Sequence, residues 1–273
     1  MQKNKIFQVN NKPHIIIELP NSVMNVLLHI SHCGGKSFVV GGLIRDAIIE
    51  NELGIKSKSK DIDVEVFGVE WNNLRNILLT FSNNVSEVGD SFGVLKFVAF
   101  DGVKVDFSLP RRENKIGKGH KGFQAALDPN MTQKDAAGRR DFTMNSISWN
   151  PFTEEIVDPF NGIEDIRNRI LRPTSSHFSE DSLRLLRGMQ FAARFDMKLA
   201  DDFQSTLFCI RAGNEFKELK RERVFEEWEK WALRSIKPSA GLRFLVDSGA
   251  IEFFPQIERM LRIEQDPEWH PEG

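Results

Sequence analysis

Apolar positions along the first 110 residues switch between two periods. From Asn21 to Ile30, Val23, Val26, Leu27 and Ile30 recur at helical spacing, and Gly34-Gly35 supplies a stop. Ser37 to Val40 is a short apolar run that reads as a strand. Gly41-Gly42 breaks it, and Leu43 to Glu50 reads as a helix. Residues 61–67 alternate strictly, with Asp61, Asp63 and Glu65 on one face and Ile62, Val64 and Val66 on the other. Trp71 to Phe81 returns to helical spacing. Val94 to Phe100 and Val103 to Phe107 are strands, joined by Asp101-Gly102, a two-residue hairpin signal. From Phe178 onward helical spacing prevails. The pattern therefore predicts an α+β first half and an all-helical second half. The junction is expected in the stretch 151–173, which holds Pro151, Pro159 and Pro173.

Composition adds limits. With 273 residues, 40% hydrophobic and 28% charged, the chain has room for about two globular domains and is not of the disordered class. Its net charge of −2 excludes a uniformly basic nucleic-acid coat. That near-balance hides a local excess, because residues 111–140 hold eight Lys or Arg against three Asp or Glu. Within it, 111–123 interleaves Arg111, Arg112, Lys115, Lys118, His120 and Lys121 with glycines and reads as a flexible basic loop. The longest apolar run, Phe38 to Ile44, falls far short of the ~18 residues of a spanning helix, so no membrane partner is expected. Two cysteines, Cys33 and Cys209, make no disulfide framework, so a cytoplasmic chain without a disulfide-linked partner is expected. There are 22 Phe and 5 Trp but no Tyr, so no role below can rest on a phenol.

Three constellations carry chemistry. The first is strand, Gly41-Gly42, a helix with Arg45, then Asp61-x-Asp63 on the next strand. Glycines at a strand end let the backbone approach a ligand closely, and the following helix N-terminus favours an anion. Arg45, one turn in, can hydrogen-bond phosphate oxygens. Asp61 and Asp63 share a face and can hold one divalent ion, whose remaining shell substrate phosphates would fill. Together these read as metal-assisted nucleotidyl transfer. Asp106, on the strand Val103 to Phe107, is the candidate third carboxylate. Taken singly, a glycine pair is a common turn and Asp-x-Asp a common solvated face. The second constellation is Arg139-Arg140-Asp141-Phe142-Thr143-Met144-Asn145, at the end of the basic stretch. The third is Ser179-Glu180-Asp181-Ser182-Leu183-Arg184-Leu185-Leu186-Arg187, with Ser179 as the expected N-cap. Asp181 and Arg184 at i, i+3 spacing suit an intrahelical ion pair. They also suit base recognition, since cytosine and adenine each offer an amino donor beside a ring-nitrogen acceptor, which an Asp acceptor and an Arg donor complement.

In this order the motifs VGGLIRD (40–46), DIDVEVFG (61–68), VDFSLPRREN (105–114), GKGHKGF (117–123), the run 139–173 and EDSLRLLRGMQFAARF (180–195) resemble the class II tRNA nucleotidyltransferase and bacterial poly(A) polymerase family. The resemblance covers nearly all of the chain after about residue 35. It implies a polymerase-β-like nucleotidyltransferase head with a small mixed sheet over 1–150. A helical neck for base recognition over 151–215 and the start of a helical body over 216–273 would follow. It also implies Mg²⁺, with Mn²⁺ as a substitute, at Asp61 and Asp63, supported by Asp106. Gly41, Gly42, Arg45 and Arg140 would contact the triphosphate. Asp181 and Arg184 would be the amino-acid template for the base, with Arg187 beside them. The loop 113–123 would be the mobile element that switches between C and A addition, and Arg139, Asp141 and Asn145 would brace the head–neck junction.

The implied activity is transfer of C and A from CTP and ATP to the 3′ end of tRNA. The alternatives are a poly(A) polymerase, an enzyme adding only CC or only A, or a non-catalytic nucleotide- and RNA-binding fragment. Two positions depart from the family pattern: Gln190 stands where many relatives have Arg, and Trp149 where Tyr is common. The last residues, 265–273, resemble the entry to an HD phosphohydrolase domain without its metal-binding His-Asp pair. No phosphohydrolase is expected, and most of the helical body and tail is expected to be missing.

Overall fold

A computed structural model describes residues 5–57, 61–88, 93–115, 123–203, 215–260 and 263. The chain forms two compact units, Met1–Glu180 and Asp181–Gly273. In the first unit the order is β1(Phe7–Val9), β2(Lys12–His14), α1(Asn21–His32), β3(Lys36–Val40), α2(Gly42–Leu53), β4(Ile62–Phe67), α3(Trp71–Phe81), β5(Val85–Val88), β6(Val94–Val98), β7(Lys104–Ser108), β8(Arg111–Lys115) and β9(Phe123–Leu127). It continues with α4(Gln133–Gly138), α5(Thr143–Ser146), β10(Ser148–Trp149), β11(Ile156–Val157), α6(Gly162–Arg167) and β12(Ile170–Leu171).

A seven-stranded mixed sheet runs β11-β10-β3-β4-β7-β6-β5. Of its pairings, β4 with β7 is parallel and the others are antiparallel. The alternation read from the sequence is realised: Ile62, Val64, Val66, Val105 and Phe107 are buried, whereas Asp63, Glu65 and Asp106 remain partly exposed. α1 and α2 pack on β3, α2 also on β4, and α3 on α1. α1 contributes Val23, Val26, Leu27 and Ile30 to that interior, the stripe its spacing predicts. The opposite, acidic face is apolar at one end only. There Phe38, Val40 and Phe67 pack with Met131 and Ala136, Phe38 edge-on to Phe67 at 5.7 Å. The far end of that face is left for polar residues.

The hairpin of β6 and β7 forms where Asp101-Gly102 predicts it, with a longer connection. Val98↔Lys104 is the last ladder pair, so residues 99–103 make the turn. Asp101 accepts hydrogen bonds from Val103 N–H and Ser22 Oγ, which anchors the turn to α1. The basic stretch 111–123, expected as a loop, begins instead as strand. β8 and β9 pair antiparallel with Arg111↔Leu127 in register, and 116–122 lie outside the described residues. Polar and β-compatible residues on both arms suffice for a two-stranded ribbon, despite the charge.

Residues 151–180 fold with the first unit. β11 pairs with β10, and β10 with β3. α6 packs on α2 and α5, and Phe142 bridges to Pro173. Asp158 caps α6 by accepting Gly162 and Ile163 N–H, and burial still pushes its carboxyl above the usual range. Trp149 is fully buried, and its indole N–H donates to Ile15 O at 2.9 Å. The indole thus supplies its own donor at a position where a phenol is common.

The second unit, among its described residues, contains α7(Leu183–Phe195), β13(Lys198–Leu199), α8(Arg221–Arg234), α9(Pro238–Asp247) and α10(Pro255–Met260). α7 packs on α8 and α9, Leu185, Leu186, Met189 and Ala192 of α7 are buried, and Phe244 of α9 lies against Gly188. Residues 176–180 form a 3₁₀ turn of the first unit, and α7 begins only at Leu183. Ser179, the expected N-cap, donates instead to Ser176 O. Asp181 takes the capping role, its Oδ1 accepting Leu183 N–H at 3.0 Å. Gln190 is buried in α7.

Candidate functional site

The geometry of the acidic site follows from strand register. β3 ends at Val40, which is opposite Asp63, and the parallel neighbour puts Asp106 level with Asp63 on the other side. Residues in register share a face, so Asp63 and Asp106 project together. Asp61 precedes β4 at its exposed end. The sheet row continues to Lys96 of β6, level with Asp106 and exposed.

Immediately after Val40 the chain turns at Gly41, which has φ 73° and ψ −137°. A Cβ on Gly41 would be 2.8 Å from Asp63 Oδ2. Both the positive φ and that contact require glycine here. Gly41 O then accepts Arg45 N–H as the first bond of α2, leaving the preceding N–H groups of the helix start beside the carboxylates.

Burial and like charges perturb this site strongly. Asp63 is raised to about 6, chiefly by burial, then by the charges of Asp106 and Asp61, while Arg140 and Arg45 pull it down. Three carboxylates that repel one another in a partly dry recess are a place for a cation. No three His, Cys, Asp or Glu side chains among the described residues form a closed metal cage. A divalent ion that takes two carboxylates and completes its shell with phosphate oxygens suits such an open set.

The expected phosphate ligands divide into two kinds. Arg140 is half-buried and pairs with Glu65 Oε2 at 2.7 Å, on the same strand face as Asp63. Its Nη1 also donates to Ser146 O at 3.3 Å. Arg45 is buried. Its Nε and Nη2 donate to Asp46 Oδ1 at 2.8 and 2.6 Å, and its Nη1 donates to Asn145 Oδ1 at 2.9 Å. Asn145 in turn donates to Asp141 Oδ1, and Ser57 donates to Asp46 Oδ2. Arg45 therefore stands inside a polar network that fixes α2 to α5, with its charge still felt at Asp63. Arg139 runs the other way, to Glu180 Oε2 at 3.1 Å.

In the second unit, Asp181 and Arg184 are both half-buried at the start of α7. Asp181 Oδ2 accepts from Arg223 Nη2 at 3.2 Å. Arg187 places its guanidinium 5.4 Å from the centre of the Phe191 ring. Sequence reasoning missed Arg223, which is 42 residues from Asp181 with nothing local to connect them. Glu65 was visible as the third acid of the strand face, but its partner was not. Lys96 was hidden because register, not sequence, sets it opposite Asp106.

Residues 37–172 match the family described as the poly A polymerase head domain. The chain belongs to the class II tRNA nucleotidyltransferase and poly(A) polymerase family. Relatives within it include the multifunctional CCA proteins of Stenotrophomonas maltophilia (strain K279a) and Aliivibrio salmonicida (strain LFI1238). The first is 34% identical over 241 residues, which is 87% of this chain and 55% of the relative. The second is 32% identical over 239 residues, 86% of this chain and 54% of the relative. The chain thus spans about half the length of the curated relatives it matches. The family fold is shared with the Bacillus stearothermophilus CCA-adding enzyme solved with CTP. The TM-score is 0.67 at 22% identity, over 85% of this chain and 53% of that one. The Thermotoga maritima CCA-adding enzyme complexed with tRNA gives 0.65 at 21% identity, over 91% and 55%. The nucleotidyltransferase head expected from the motifs is therefore present, an α+β unit around a mixed sheet. Enzymes of this family work with a divalent metal. Among the described residues no helix is long and apolar enough to cross a membrane.

Proposed function

We propose that this chain is a template-independent tRNA nucleotidyltransferase of the cytoplasm that adds C, A or both from CTP and ATP to the tRNA 3′ end. The observation that carries the reading is the placement of Asp63 against Asp106 across the parallel pair, directly under the Gly41-Gly42 turn. Mg²⁺, with Mn²⁺ as a substitute, fits the Asp61 and Asp63 oxygens. When bound, it would lower the pKa of the attacking hydroxyl and neutralise charge on the phosphates.

The chain's own groups do the rest. Backbone N–H groups at the start of α2 and the Arg140 guanidinium hold the triphosphate, and Glu65 fixes the plane of that guanidinium. Asp106 stands beside Asp63 as the third carboxylate. Arg45 keeps α2 in place through Asn145 and contributes positive charge from below. Asp181 and Arg184 present an acceptor and a donor to the pairing edge of C or A, with Arg187 beside them and Arg223 steadying Asp181. The relatives' names, multifunctional CCA protein and CCA-adding enzyme, support tRNA as the acceptor. The retained carboxylate geometry argues against a non-catalytic fragment, because nucleotide binding alone does not require it.

The test is incubation with tRNA ending before the first C, in CC and in CCA, with each nucleotide supplied separately. Products resolved to single nucleotides distinguish CCA, CC, A and poly(A) addition. Incorporation of C or A that disappears in Asp61→Ala and Asp63→Ala supports the reading. Undiminished incorporation in those variants overturns it.

A further inference from the structure

A second recess in the first unit is not used by the chemistry above. It has a volume of about 430 Å³ and is lined by Arg112, Met131, Lys134, Arg139, Phe160 and His177, among others. That volume is in the range of small-molecule sites. The side chains come from β8, α4, the Arg139-Arg140 corner and the 160–177 segment, so the fold converges them from distant sequence.

The recess has two chemical halves. One is cationic. Arg112 is held by Asp128 at 2.7 Å, and Arg139 by Glu180 at 3.1 Å, which sets the direction of both guanidinium groups. Lys134 is exposed at the rim. His177 Nδ1 lies 2.7 Å from Glu180 Oε1. Asp135, the acid in the lining, is engaged by Thr132 Oγ1. The other half is apolar, made by Met131 and the half-buried ring of Phe160. That ring lies against Gly138, where a Cβ would come within 3.3 Å of Phe160 Cζ. Ser175 Oγ donates to Gly138 O at 2.5 Å and ties the floor together. A flat apolar surface beside several cations suits a ligand whose planar ring is joined to an anion through a short linker, as the ribose joins base and phosphate in a nucleotide.

We propose that this recess binds one nucleotide of the single-stranded 3′ end of the RNA substrate, its base on Phe160 and its phosphate toward Lys134, Arg112 and Arg139. The proposal rests on the RNA-acceptor reading above. Consecutive residues serve the two sites: Arg139 lines the recess, while Arg140 reaches Glu65, two residues from Asp63 on the same strand. The recess and the carboxylate site are therefore served by adjacent residues of one corner of the chain. A free nucleotide needs no such adjacency.

The test separates binding from catalysis. A fluorescein-labelled six-nucleotide RNA ending in CC is titrated with the protein, and CMP and AMP are titrated in parallel. Lys134→Glu, a surface change, and Phe160→Leu are each expected to weaken the oligonucleotide about five- to tenfold, and Lys134→Glu to reduce the salt dependence by about one phosphate contact. CTP and ATP binding stays unchanged, and in turnover KM for tRNA rises while KM for nucleotide does not. Oligonucleotide affinity unaltered by Lys134→Glu overturns the proposal, as does absence of oligonucleotide binding in the parent protein. Equal loss for CMP or AMP and for the oligonucleotide reassigns the recess to free nucleotides and also overturns it. Oligonucleotide binding that responds to these variants in a protein that never extends tRNA would sink the transferase reading and leave the recess standing.

Discussion

Replacing Asp63 with Asn should stabilise the metal-free protein while removing its chemistry. Asp63 rises from 3.8 in an unfolded chain to about 6 in the fold, because burial and the charges of Asp106 and Asp61 disfavour ionisation. At ~1.4 kcal/mol per pH unit, that difference is worth about 3 kcal/mol against the folded state once the group is ionised. The sign follows from linkage. Below 3.8 the group is protonated in both states and contributes nothing. Between 3.8 and about 6 the unfolded chain releases its proton first, so stability falls as pH rises, and above about 6 the full cost applies. Asn carries no such cost. Urea unfolding in the presence of a chelator at pH 4.5, 6 and 7.5 should therefore show Asp63→Asn gaining on the parent, from about 1 kcal/mol to about 3 kcal/mol. Adding Mg²⁺ or Mn²⁺ at pH 7.5 should raise the parent's midpoint and leave the variant's unchanged, since only the parent binds the ion. A difference independent of pH, or a parent more stable than the variant at pH 7.5 without metal, would refute this account of the site.

Gly41→Ala should abolish nucleotide incorporation, because its Cβ would meet Asp63 Oδ2 at 2.8 Å from a backbone with φ 73°, and calorimetry should show metal binding lost with it. Lys96→Ala should raise KM for the nucleotide several-fold, with stability unchanged to within about 0.5 kcal/mol, because Lys96 is exposed and level with Asp106 on the site face. Arg223→Met releases Asp181 Oδ2, and misincorporation of U and G relative to C and A should rise while metal affinity holds. Gly188→Ala drives a Cβ to 2.3 Å from Phe244 Cζ where α7 crosses α9. Overpacking should outweigh the gain in helix propensity by about 1–2 kcal/mol, read as a lower unfolding midpoint by Trp fluorescence.

The parts of the site that were legible in the sequence are those fixed by local period. Strict alternation over 61–67 put Asp61, Asp63 and Glu65 on one face, and a glycine pair after an apolar strand marked a close backbone approach. Neither depends on which strands meet. What remained hidden depends on pairing between distant segments. Asp106 could be named as a candidate, yet only the parallel register β4–β7 makes it the neighbour of Asp63, and the adjoining antiparallel register brings Lys96 into the same row. Arg45 shows a second effect of the fold. Its spacing from Gly42 suggested a guanidinium offered to phosphate, but the burial of α2 against α5 turns it toward Asp46 and Asn145. A buried guanidinium needs several acceptors, and the sequence does not reveal which acceptors the fold supplies. The same reasoning applies to the basic stretch after residue 110. Counting charge located the excess, but strand pairing of 111–115 with 123–127 decides which of those cations converge on Phe160 and Met131 to make a recess. Composition thus reports the presence of a local cation excess, and topology alone decides which of those cations converge on a recess and which are taken up in internal pairs.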